Sequence, residues 1–256
     1  MLVTSGRIPL PAGRAERACG LVGVALIGSG LLHLVVYAVD GGPWQGPVSW
    51  RKPVTFGLSF GLTLLTVLWL SPYLPLSRRS RRVLLGVFAA DCCVEVAGVT
   101  LQAWRHVPSH VNRETGFDSA VATVLAAGGG VLVVVLGIVA VAAFRARVAP
   151  SMRLALRAGV VTMMIGVATG IAMIARGVAE VGGGHQQRAY EVLGFLKPVH
   201  GVSLHGVLVL PALAWALSRT GWDETRRTRG VALGVAGYAV AILAALAYSL
   251  AWPDPT

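Results

Sequence analysis

Charge is what this chain has least of. Only 13% of its 256 residues are charged, 55% are hydrophobic, and mean hydropathy is +0.70. A soluble domain of this length needs more charge to cover its surface, so a water-soluble globule is excluded. Cysteine is scarce as well: Cys19, Cys92 and Cys93, the last two adjacent within an apolar run, cannot form a secreted disulfide framework and read as small packing residues. Without a G-x-x-x-x-G-K-[ST] loop or a C-x-x-C pair, nothing reads as a nucleotide-binding or nucleophile motif. The stretches between the apolar runs are too short to fold as a soluble domain, so any chemistry belongs to the apolar part and its loops.

What the chain does have is seven long apolar runs, near 19–39, 54–72, 83–103, 120–144, 157–175, 199–218 and 230–251. Each is about the 20 residues that cross a hydrocarbon core. They are continuously apolar, whereas barrel strands alternate, so the expected fold is all-α: a polytopic membrane protein, a seven-transmembrane-helix bundle. The domain reading is residues 1–18 as a cytoplasmic N-terminal segment, 19–251 as one seven-helix transmembrane domain and 252–256 as an extracytoplasmic tail. The first run follows Arg14 and Arg17 but is too long for a signal h-region and has no A-x-A site after it, so it reads as a retained span.

Orientation follows from arginine and lysine. Arg7, Arg14, Arg17, the run Arg78, Arg79, Arg81 and Arg82, then Arg145, Arg147, Arg153, Arg157, Arg219, Arg226, Arg227 and Arg229 fall on one side. Only Arg51, Lys52, Arg105, Arg113, Arg176, Arg188 and Lys197 fall on the other. Basic loops stay cytoplasmic, which puts the N-terminus inside and the C-terminus outside. The net charge of +11 is then mostly topogenic. Short basic loops beside helix ends suit anionic lipid, and they leave no folded basic face for nucleic acid. Gly57-x-x-x-Gly61, Gly166-x-x-x-Gly170 and Gly230-x-x-x-Gly234 predict close helix contacts.

The polar residues that remain gather toward the outer side. In the third span Asp91, Glu95, Gly98 and Gln102 lie along one helical stripe. A carboxylate at mid-membrane costs about 2.5–3.5 kcal/mol on insertion scales, so both acids should face the bundle interior and find partners. They read either as a structural hydrogen-bond network or as a proton-handling or ligand-binding stripe. The span runs out into the polar stretch Gln102 to Asp118, expected to fold back as a cap, with Asp118 as an N-cap of the fourth helix. His106, Arg113 and Glu114 read as solvated loop residues. Asp91, Glu95, Gln102 and His110 are the candidate reacting groups.

Two outer helix mouths look alike, Ser49-Trp50-Arg51-Lys52-Pro53 and Gly194-Phe195-Leu196-Lys197-Pro198, each with proline near the first helical position. From Lys52 to Gly61 and from Lys197 to Gly206, four of ten positions are identical, which predicts a parallel three-plus-one-plus-three repeat. Trp50, Arg51, Lys52, Arg105, Asn112 and Lys197 are the candidate substrate-binding residues. His33, His200, His205 and Glu95 form a candidate metal set for zinc or iron. His200 and His205 are five apart, about 140° around a helix. His33 with His200 is therefore the better cross-helix pair, and such a pair also suits axial haem ligation with Arg51, Lys52 or Arg105 on the propionates.

Ser-Trp-Arg-Lys-Pro at 49–53 and Gln-Ala-Trp-Arg at 102–105, followed by Ser109-His110-x-Asn112, resemble a group of bacterial multi-pass membrane proteins without an assigned reaction. That resemblance implies a bacterial cytoplasmic membrane. Ser29-x-x-x-His33, an acid in the third span and a late histidine pair are also similar to seven-helix zinc hydrolases of the ceramidase and adiponectin-receptor type. Their late motif is H-x-x-x-H, whereas His200 and His205 are spaced H-x-x-x-x-H, so their activity is not carried over.

Three readings follow. One is a membrane-embedded enzyme, metal- or haem-dependent, acting on a lipid or anionic small molecule at an outward-facing pocket. The second is a small proton-coupled transporter built on the repeat, and the third an assembly or sensory subunit. The expected partners are membrane lipids, with a homo-oligomer compatible and no nucleic acid.

Overall fold

The computed structural model describes residues 13–251. Residues 1–12 and 252–256, which include Arg7 and the expected C-terminal tail, lie outside them. Among the described residues there are eight α-helices: α1 (Arg14–Asp40), α2 (Arg51–Leu70), α3 (Arg78–Trp104), α4 (Gly116–Phe144), α5 (Pro150–Gly182), α6 (Gln186–Val192), α7 (Lys197–Ser218) and α8 (Glu224–Ala251). All except α6 are long and apolar enough to cross a membrane, so the chain is a multi-pass, seven-span helical bundle.

Every span begins before its apolar run, and α1, α3 and α5 also end beyond theirs. Helix α1 already begins at Arg14, within the segment expected to precede it. At 33 residues, α5 is about 50 Å long, well beyond a hydrocarbon core of about 30 Å. Arginines can continue a helix into the interface because their stems stay in apolar surroundings while their heads reach water. Local signals stop and start the helices. Ser77 caps α3 by accepting from the Ser80 amide at 3.0 Å, and prolines stand in the first turns of α5 and α7.

Helices α1, α2 and α3 pack on one another, and so do α5, α7 and α8. Helix α4 joins the groups by packing on α3 and α5, and α2 touches α7 directly. Where α1 crosses α2, a Cβ on Gly57 would lie 2.6 Å from the Gly30 nitrogen. Only missing side chains permit such an approach. The apolar core, with Leu64, Leu70, Leu85, Phe88, Leu156 and Leu210 fully buried, fills the half of the bundle nearer the arginine-rich loops. His33, Ser49, Gln102, Ser109, Asn112 and Asp118 are buried at the opposite end, the site end, while among the described residues only the small hydroxyl residues Thr66, Ser71 and Ser151 are buried polar groups near the arginine-rich loops. Outward faces are apolar, as on α8 at Leu233, Val240 and Leu243, which fits lipid as their solvent.

Candidate functional site

Asp91 and Glu95 lie one turn apart on α3 and are 6% and 3% exposed. Both carboxylates converge on Gly128 of α4. A Cβ there would meet Glu95 Oε1 at 2.5 Å and Asp91 Oδ1 at 3.0 Å, so the two acids occupy the space a side chain would fill. Asp91 Oδ2 is buried and has no hydrogen-bond partner. A buried oxygen left unpaired costs about 1–3 kcal/mol, more when charged. It therefore marks a place for a proton, a cation or a donor from a bound molecule.

Above this pair the chain closes over itself. Helix α3 ends with His106 in the left-handed region, φ 54°. His106 N donates to Ala103 O at 3.0 Å and Val107 N to Gln102 O at 3.1 Å, the double bond pattern of a Schellman ending. Fully buried Gln102 donates from Nε2 to Asp118 Oδ1 at 2.9 Å. Arg105 Nη1 donates to Gln102 Oε1 and, at 2.5 Å, to the same Asp118 oxygen, while its guanidinium stacks 4.6 Å above the Phe117 ring. Thr115 Oγ1 donates to Asp118 Oδ2 at 2.5 Å and accepts from the Asp118 amide at 3.1 Å. Thr115 is thus the N-cap of α4, and Asp118, expected in that role, is its partner at the third position of the helix. Gln102 and Arg105 are engaged in locking the cap onto α4.

The rest of the loop is pinned just as firmly. Asn112, fully buried, donates from Nδ2 to Pro108 O at 3.2 Å and accepts from the Glu114 amide at 3.0 Å. Arg113 reaches Ser119 O at 3.0 Å and Thr123 Oγ1 at 2.8 Å on α4. Glu114 Oε1 accepts from Tyr190 OH of α6 at 3.3 Å, and burial together with Glu114 pushes that phenol's pKa up. Arg113 and Glu114 are exposed, as expected of solvated residues, and they also link the loop to α4 and α6. Val111, a β-branched residue at φ 53°, is held by Gln186 Nε2 on its carbonyl at 2.9 Å and by packing against Ala189 and Tyr190. A β-branched residue in the left-handed region persists only where its surroundings hold it there.

Replacing Asp118 by Ala should unlock this cap. The variant leaves the buried Gln102 amide without its acceptor and weakens the α4 cap, while the Arg105 share is discounted because that side chain is about one-third exposed. The expected loss is about 2–3 kcal/mol, read as a lower unfolding midpoint in detergent with faster amide exchange at 105–115. An unchanged exchange pattern would show that the network does not hold the loop.

The histidines do not assemble as expected. His33 donates from Nδ1 to Ser29 O at 2.7 Å and accepts at Nε2 from Trp104 Nε1 at 3.1 Å, which leaves neither ring nitrogen for a metal or haem iron. His200 Nδ1 bonds Gly166 O of α5 at 2.7 Å, and His205 Nδ1 bonds Gly201 O of its own helix at 2.7 Å. Glu95 faces α4 instead. Among the described residues no three His, Cys, Asp or Glu gather where they could hold a metal ion. The expected set His33, His200, His205 and Glu95 is thus not brought together. His110 sits half-buried beside Ser109 Oγ at 2.9 Å and the Phe56 ring at 5.6 Å. Burial, and then the Lys52 ammonium, pushes its imidazole down to about 3, too weak a base to carry protons near neutral pH.

Trp50 is buried and donates to Asp40 Oδ2 at 2.8 Å. Its ring stacks on His33 and meets Trp104 edge-on at 5.1 Å. These groups border a cleft of about 340 Å³ lined by Val35, Val39, Asp40, Trp50, Trp104 and His106. Arg51, Lys52 and Lys197 are half-buried at the mouths of α2 and α7, with Lys52 in electrostatic reach of the other two. The string Gly57-Leu58-Ser59-Phe60-Gly61 spells G-x-S-x-G but lies within α2, where Gly57 and Gly61 pack on α1. It lacks the strand-to-helix turn that makes a nucleophile elbow. Asp40, Thr115, Gly128, Gln186 and Tyr190 are site-end residues that sequence reasoning missed. The tract Gly128-Gly129-Gly130 inside the fourth span was a readable signal for Gly128, and the spacing of Thr115 from Asp118 one for Thr115. No family model, curated protein or solved structure matches this chain.

Proposed function

We propose that this integral membrane protein is a small proton-coupled transporter whose proton site is the Asp91–Glu95 pair against Gly128. The observation that carries the reading is the buried, unpartnered Asp91 Oδ2 beside a second buried carboxyl. Intramembrane acids are costly to keep, face bundle interiors and mark ion pathways. Grouping of the helices into two sets of three, joined by α4, further supports a carrier in which one set rocks against the other. The packed apolar half beneath the pair then represents the closed side of the cycle. The protein's proposed home is a bacterial cytoplasmic membrane with the N-terminus inside, on the strength of its basic loops and the loop motifs.

The test is proton movement in vesicles that contain the purified protein and a trapped pH dye, after a voltage jump. Wild type should acidify or alkalinise the lumen faster than protein-free vesicles, and Asp91→Asn and Glu95→Gln should each lower the rate about tenfold or more. Equal rates in wild type and Asp91→Asn would overturn the reading. The cleft between Asp40, Trp50, Trp104 and His106, which opens beside the exposed face of α1, favours a second one: an enzyme acting on a membrane lipid. Lipid turnover that Asp40→Asn and His106→Ala both leave unchanged would remove it.

A further inference from the structure

The two sets of three helices share sequence as well as packing. Arg78-Arg79-Ser80-Arg81-Arg82-Val83-Leu84-Leu85-Gly86-Val87 at the start of α3 returns in α8 as Arg226-Arg227-Thr228-Arg229-Gly230-Val231-Ala232-Leu233-Gly234-Val235, with seven of ten positions identical. In the same register Ala97 and Ala103 match Ala245 and Ala251. Helices α2 and α7 share Lys-Pro-Val and the later Gly61 and Gly206. Helices α1 and α5 share Gly23-Val24 with Gly159-Val160, and Gly30 with Gly166.

The contacts agree with that alignment. A Cβ on Gly23 would lie 3.3 Å from Gly61 O, and one on Gly159 would lie 3.0 Å from Gly206 O. Thus one matched glycine of α1 and of α5, Gly23 and Gly159, rests on the matched Gly61 of α2 and Gly206 of α7. In each set the first and second helices form the broadest interface, the second and third a narrower one and the first and third the narrowest. Asp91 and Glu95, by contrast, align with Ala239 and Leu243 of α8, so only the first set carries the acids.

The chain has two lysines, Lys52 and Lys197; every other side-chain cation apart from histidine is an arginine. They occupy the same position of the two sets, at the same end of the touching helices α2 and α7. Equivalent positions of parallel repeats lie across the axis that relates them. The cations Lys197 and Arg51 both act on Lys52, and the neighbouring His110 stays neutral. Like charges gathered in a half-buried place repel one another, and an anion between them reverses that penalty.

We propose that the chain is a parallel internal duplication and that Lys52 and Lys197, equivalent residues of its halves, clasp one phosphate-bearing anion where α2 meets α7. The proposal rests on the carrier reading and names its substrate class: an anion whose movement is balanced by the proton of the acid pair. Ammonium groups suit a phosphate as point charges without demanding one fixed geometry.

The probe is inorganic phosphate, titrated against the full-length protein in phosphatidylcholine nanodiscs and read by unfolding midpoint. Wild type should be stabilised with saturation, and Lys52→Gln and Lys197→Gln should each weaken the response about tenfold or more, while Arg79→Gln at the opposite end leaves it unchanged. Asp91→Asn should keep phosphate binding and lose proton movement. Lysine-dependent phosphate binding without wild-type proton flux would sink the carrier reading and leave the anion site standing. Suppression of the response in phosphatidylglycerol nanodiscs identifies a lipid headgroup as the natural source, and persistence there identifies a solute. No response in wild type in phosphatidylcholine, or an undiminished one in both lysine variants, overturns the anion site.

Discussion

Gly57→Ala should leave little correctly folded protein. The added Cβ would lie 2.6 Å from the Gly30 nitrogen, 2.8 Å from Gly30 Cα and 2.8 Å from the Leu26 carbonyl oxygen. All three are backbone atoms, so no side-chain rotation relieves the clash and α1 must move off α2. Overpacking costs about 1–3 kcal/mol in general, and a backbone obstacle puts this variant at or beyond the upper end. Gly206→Ala in the other half is a matched comparison, because its Cβ would meet Thr162 Oγ1, the Tyr238 ring and, at 3.0 Å, Thr162 Cβ, of which the hydroxyl and the ring can rotate away. Gly28→Ala, with nothing within 4 Å, should be neutral or slightly stabilising through helix propensity. The measurement is the yield of monodisperse protein and its unfolding midpoint. A Gly57→Ala protein that melts with wild type would mean that the helices do not approach so closely. The damage should also reach the site end, because the α1–α2 contact holds His33 of α1 against Trp50 and Trp104.

Both the Gly57 contact and the polar stripe were readable beforehand, for a common reason. Helical periodicity tells which residues share a face, and burial cost tells which face must turn inward, so Gly57-x-x-x-Gly61 and Asp91 with Glu95 could be oriented without coordinates. Periodicity does not tell which neighbour each face meets. Gly128, the partner of both acids, lies in a different span and carries no chemistry of its own. Loop partnerships were equally hidden. The sequence did not show that Arg105 is held by Asp118 and Gln102, nor that Arg113 and Glu114, exposed as expected, also reach α4 and α6. His33 looked like a ligand because the sequence could not bring Trp104 to its second nitrogen. One local signal was present and passed over: Thr115 stands three residues before Asp118, the spacing of a capping box, which predicts Thr115 as the cap. Helix α6 spans only Gln186–Val192, too short for its periodicity to stand out from the polar loop around it.

Gly128→Ala should abolish proton movement while the bundle stays folded, because its clash is with side chains. The new methyl carbon would lie 2.5 Å from Glu95 Oε1 and 3.0 Å from Asp91 Oδ1, so at least one carboxyl must leave the space the pair shares. Those side chains can swing where a backbone cannot, which keeps the steric cost near the low end of about 1–3 kcal/mol. The gain in helix propensity of about 1 kcal/mol offsets much of it. Stability should therefore change little, and function should change a great deal on the proposed reading: a displaced acid leaves the place beside its neighbour and faces apolar surroundings. Gly129→Ala and Gly130→Ala are the controls, since a Cβ at either position meets nothing within 4 Å. All three variants add the same methyl to the same stretch of α4, so only the position relative to the acids differs. Proton movement at least about tenfold slower in Gly128→Ala alone, with matching melting curves, is the expected result. Equal rates in the three would mean that the Asp91–Glu95 contact with α4 is packing, and that the protonation chemistry proposed for it belongs elsewhere in the bundle.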